Sequence, residues 1–85
     1  METKFLVSTR FVVNGLGLVL SGEVKSGLLM EGAFGRTSKG KKCAVIKIDV
    51  DGVRTMQANA KQKANIVVKY VEQNDIMPGD IIYFE

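Results

Sequence analysis

Between Asn14 and Gly32 the chain reads NGLGLVLSGEVKSGLLMEG, and Gly15, Gly17, Gly22, Gly27 and Gly32 interrupt an aliphatic, β-branched run at short intervals. Glycine is required where the backbone takes a positive φ or where a neighbouring strand leaves no room for a Cβ. The stretch therefore predicts a strand, a tight turn and a second strand that bends. Asn14-Gly15 suits a type I′ hairpin turn, whose two central residues both need positive φ. Upstream, Phe5, Val7, Thr9, Phe11 and Val13 alternate with Leu6, Ser8, Arg10 and Val12, the period of a half-buried strand. Downstream, Leu18, Leu20, Gly22 and Val24 share one face. Gly22 in mid-strand is costly unless a bulge, a bend or a close backbone neighbour uses it, and a barrel corner is expected there.

The remainder extends the same pattern, with no helical periodicity. Lys42 to Val50 places Ala44, Ile46, Ile48 and Val50 on one face, with Cys43, Val45, Lys47 and Asp49 on the other. Asp51-Gly52 supplies a second hairpin turn into Val53 to Met56. Ala64 to Val71 is apolar on both faces, Pro78-Gly79 marks a turn, and Asp80 to Phe84 reads as the last strand. The fold class expected is all-β: a single closed antiparallel β-barrel of six to seven strands over residues 1–85. Closure removes the free sheet edges on which strands aggregate.

These residues resemble a known family. The pattern GxGxVxxGxVxxGxxxxG is met by Gly15, Gly17, Val19, Gly22, Val24, Gly27 and Gly32. It is similar to the opening strands of the second domain of translational GTPases, the β-barrel of elongation factor Tu and its relatives. A closing motif of the form I-x-x-G-[DQ]-x-[LI] is met by Ile76, Gly79, Asp80 and Ile82, so the likeness spans nearly the whole chain. One departure lies at Ala60-Lys61-Gln62, where relatives often have Ala-Gly and an acidic residue. The resemblance implies a barrel that helps hold aminoacyl-tRNA or docks on the small ribosomal subunit, and that packs against a GTPase domain. With Met1 leading directly into the barrel, a stand-alone domain without GTP hydrolysis is expected.

Eighty-five residues suffice for one small core. No apolar run approaches the length of a membrane span, and METKFLVSTRF lacks the layout of a secretory signal, so a cytoplasmic protein without membrane association is expected. The lone Cys43 fits that compartment and reads as a small core residue.

Catalysis has little to draw on. There is no histidine, and the serines have no base beside them. Gly35 to Lys42 satisfies the first seven places of GxxxxGK[ST], but lysine replaces the hydroxyl that would hold magnesium, and a strand follows instead of a helix. Asp49 and Asp51 flank a turn and read as turn residues. No enzyme activity, cofactor or metal is expected.

Charge supplies the functional lead. Residues 33 to 71 carry nine cations against Asp49 and Asp51, a local balance of +7 in a chain whose net charge is +3. The densest part, Arg36 to Lys42, reads as a loop loosened by Gly35 and Gly40. A basic face of this kind attracts phosphate backbones. The expected site is Arg36, Lys39, Lys41 and Lys42, helped by Lys61 and Lys63, on structured RNA, ribosomal or transfer. No aromatic residue is interleaved with the cluster, so contacts to phosphate and shape are expected rather than base stacking. The competing expectation is a protein-interaction module that packs on a translational GTPase or on itself, with an exposed apolar patch.

Overall fold

Residues 3–26 form the expected long hairpin in the computed structural model, which describes residues 2–85. Strand β1 (Thr3–Val13) pairs antiparallel with β2 (Gly17–Ser26). The turn between them differs from the expected one. Val13 pairs with Gly17, leaving a three-residue loop in which Gly15 takes φ 85° while Asn14 does not enter the positive region. Leu16 N–H donates to Val13 O at 3.0 Å, so the turn has its single positive φ at the third position, as in type II. Asp51-Gly52 does form the two-residue turn, with φ 54° and 80° between the paired Val50 and Val53.

Six strands close the barrel. The order is β4 (Phe34–Arg36), β9 (Ile81–Phe84), β1, β2, β8 (Lys63–Lys69) and β5 (Lys42–Val50), and β5 pairs back onto β4. Strand β6 (Val53–Thr55) hangs outside on β5. A separate ribbon of β3 (Leu28–Met30) and β7 (Gln57–Asn59) adds Leu29 and Ala58 to the core. The first and last strands are neighbours, Thr3 pairing with Phe84.

Inward positions alternate as a barrel requires. Phe5, Leu20, Val24, Ile48, Ile66, Ile82 and Phe84 are fully buried, each contributing about 1.5–3 kcal/mol on leaving water. Cys43 is buried among them, as expected.

Of the three register shifts among the described residues, two invert the face read from the sequence. On β1 the register passes from Val7↔Gly22 to Thr9↔Ser21, so Ser8 is an extra residue and the face inverts. Phe5 and Val7 point into the core, whereas Phe11, expected on the same face, is exposed. On β5 the register passes from Val45↔Val68 to Lys47↔Val67, making Ile46 the extra residue. It lies 38% exposed while Cys43 and Val45 go inward. The first bulge sits opposite Gly22, where a Cβ would stand 2.0 Å from the Leu6 carbonyl oxygen and 2.9 Å from the Phe5 ring. This is the corner that the mid-strand glycine implied.

Candidate nucleic-acid interface

Arg36, Lys39, Lys41 and Lys42 gather at one end of the barrel, where β4 turns into β5. Arg36 and Lys42 are strand residues paired with each other, not loop residues. The connection is not loose either. Thr37 N–H donates to Lys41 O, Gly40 N–H to Thr37 O, and Lys41 N–H to Thr37 Oγ1, at 2.9, 2.9 and 3.2 Å. Gly35 lies inside β4 against the Phe84 ring.

Two of the four cations strap this turn to a short 3-10 turn at Gln73–Asp75, which the sequence did not signal. Lys41 Nζ lies 2.9 Å from Asp75 Oδ1, and Lys39 Nζ donates to Asn74 O at 3.1 Å. The Asp75 carboxylate also accepts the Glu72 backbone N–H at 2.8 Å. That bond, and then Lys41, hold the Asp75 carboxyl below its ordinary value. The hydrogen bond from Lys41 to Asp75 raises the Lys41 ammonium in return. Lys41 is therefore partly neutralised, and Arg36 Nη1 donates to Gly40 O at 3.1 Å without meeting a carboxylate.

Lys61 and Lys63 do not join the cluster. Lys63 pairs with Glu23 at the start of β8, whereas Lys69, at its other end, pairs with Ala44 near Lys42. The rise along β8 puts Lys63 about 20 Å from the level of the cluster. Lys61 occupies a turn at φ 74° on that far side.

The structure adds residues that the sequence reading passed over. Pairing runs from Lys42 to Arg36, from Arg36 to Tyr83 and from Tyr83 to Lys4, one row across the outer surface of β5, β4, β9 and β1. Phe34 lies two residues along β4 from Arg36. Lys42 Nζ sits 4.8 Å from the centre of the Phe34 ring, and Lys4 Nζ 5.8 Å from that of Tyr83. Aromatic rings thus stand beside the cations after all: Phe34 from the same strand as Arg36, and Tyr83 through cross-strand pairing between residues far apart in sequence.

A second outer surface is apolar. Phe11, Val13, Leu16, Val19 and Val67 line a groove of about 380 Å³ with Lys47, Asp49, Arg54 and Asn65 at its polar side. Arg54 is engaged with Glu31 at 2.7 Å. Among the described residues, Asp49 Oδ1 is a buried oxygen with no hydrogen-bond partner.

No family model and no curated protein sequence matches the chain. Solved structures do match. Translation elongation factor SelB from Methanococcus maripaludis, in its apo form, superposes over 98% of this chain and 18% of its own, with a TM-score of 0.89 at 20% identity. The fold is the barrel of translational GTPases. A bacterial selenocysteine-specific elongation factor, EF-Sec, gives a TM-score of 0.86 at 27% identity, over 94% of this chain and 14% of its own. The elongation-factor barrel described here thus spans less than a fifth of either protein.

Proposed function

We propose that this translation-factor-like barrel is a non-catalytic module that binds structured RNA, ribosomal or transfer, through Arg36, Lys39, Lys41 and Lys42. The supporting observation is the convergence of these four cations on one end of the barrel, on a hydrogen-bonded turn that holds them without flexible-loop entropy. Lys61 and Lys63, on the far side, add only to the overall field. The relatives' description as elongation factors agrees with an RNA partner. Four neutralised phosphates give a logarithmic salt slope of about −3.6, hence a roughly hundredfold loss of affinity between about 50 and 200 mM salt. Titrating a labelled RNA hairpin across that range tests the reading, with R36E/K39E/K42E expected to abolish binding while preserving the fold. Binding that ignores salt overturns it.

The apolar groove favours a second reading, a protein-interaction surface for a GTPase domain or a second copy of this chain. That reading predicts salt-insensitive association, weakened by F11S and L16S and visible in light scattering.

A further inference from the structure

The outer row formed by Lys42, Arg36, Tyr83 and Lys4 differs from an ordinary basic patch because one exposed ring, Tyr83, is set into it and a second, Phe34, lies beside it. Phe34 is 47% and Tyr83 40% exposed, each with a lysine ammonium against its ring. Neither fills the core, since the neighbouring Gly35 and Phe84 take the inward positions of their strands. Cross-strand geometry sets their spacing. Arg36 is the direct partner of Tyr83, so Phe34 is its diagonal neighbour, about 7–8 Å away. That separation suits consecutive nucleotides of an extended strand, one base to each ring. Arg36 and Lys42 on one side, with Lys4 on the other, then stand where the connecting phosphates would run.

We infer that this row is a stacking platform for an unpaired RNA segment, which seats two bases on Phe34 and Tyr83 and their phosphates on Arg36, Lys42 and Lys4. The inference rests on the RNA-binding reading above and narrows it, because a duplex keeps its bases stacked on one another and leaves the rings unused. Lys42 and Lys4 already sit over the two rings. An exposed cation–π contact is weaker than a base stack, so an arriving base displaces the ammonium, which turns to the phosphate. Glu85 follows Phe84 and its backbone N–H donates to Phe34 O, which makes it the acidic boundary of the platform.

The test compares a fluorescein-labelled oligouridylate with an RNA duplex of equal length, by anisotropy on the full chain. The wild type binds the single strand more tightly. F34A/Y83A loses roughly ten- to hundredfold on the single strand, with little change on the duplex and an unaltered salt slope. F34L/Y83L, which keeps apolar bulk without a π face, loses a similar factor and guards against unfolding. The chain has no tryptophan and two tyrosines, so in Y70F the emission reports Tyr83 alone, and a stacked base quenches it. Single-strand affinity unmoved by the ring substitutions, with Tyr83 emission unquenched, overturns this inference. Salt-dependent duplex binding in that same outcome leaves the broader RNA reading intact. No binding of either RNA removes both.

Discussion

Gly22 offers the sharpest test of the fold, because of all the glycines it leaves the least room for a side chain. An alanine there would place its Cβ 2.0 Å from the Leu6 carbonyl oxygen and 2.9 Å from two atoms of the Phe5 ring. Comfortable contact lies at about 3.5 Å, so β1 and β2 would have to separate by about 1.5 Å. Gly22 pairs with Val7 on one side and Ala64 on the other, and the shift would disturb both ladders. Two or three weakened backbone hydrogen bonds at about 1 kcal/mol each, together with displacement of the fully buried Phe5, give a loss of about 3 kcal/mol. A chain of this length has about 4–13 kcal/mol in all. Its unfolding entropy, about 0.18 kcal/mol/K, converts the loss to about 17 °C in Tm. Thermal unfolding followed by circular dichroism measures it. Gly15→Ala is the control, since its φ of 85° is strained for alanine but nothing lies within contact of the added Cβ. It should cost about 1 kcal/mol, or about 6 °C. G22A melting as close to wild type as G15A would show that the bulge does not create the close approach.

Three other outcomes follow from the same structure. Burial pushes the Cys43 thiol up to about 11, so at pH 8 about one molecule in a thousand carries the thiolate, and a disulfide reagent should label it only after denaturant is added. Rapid labelling of the native protein would place Cys43 at the surface. Because the Asp75 carboxyl is lowered in the fold, its strap to Lys41 contributes stability above the ordinary carboxylate range and loses it as pH falls through the lowered value. The difference in Tm between wild type and D75N should therefore be present above the ordinary carboxylate range and shrink as pH falls through the lowered value, whereas a pH-independent difference contradicts the strap. Ile66→Ala, in the middle of β8 and fully buried, should cost about 2–5 kcal/mol in urea unfolding, with the slope unchanged.

Local chemistry made much of the barrel legible. Asp51-Gly52 turned as their preferences demand, and Gly22 marked the corner because only a missing side chain fits there. What the sequence hid was long-range pairing. Ser8 and Ile46 look like ordinary members of an alternating strand, and only their partners on β2 and β8 reveal them as extra residues that invert a face. Asn14-Gly15 misled for a related reason, since the Val13↔Gly17 register added Leu16 to the loop and moved the second positive φ from Asn14 to Gly17, at 109°. The candidate site behaved likewise. Arg36 and Lys42 were visible as a charge cluster, but Tyr83 and Lys4 reach them only through β9 and β1, and Lys61 and Lys63 were assigned by charge when strand direction carries them away.

The pairing of Thr3 with Phe84 means that the polypeptide comes in and leaves through the same doorway. A unit with adjoining entry and exit can be carried by a host polypeptide without rerouting the host's own path. Tyr83 and Lys4, with their ring and cation, lie beside that doorway.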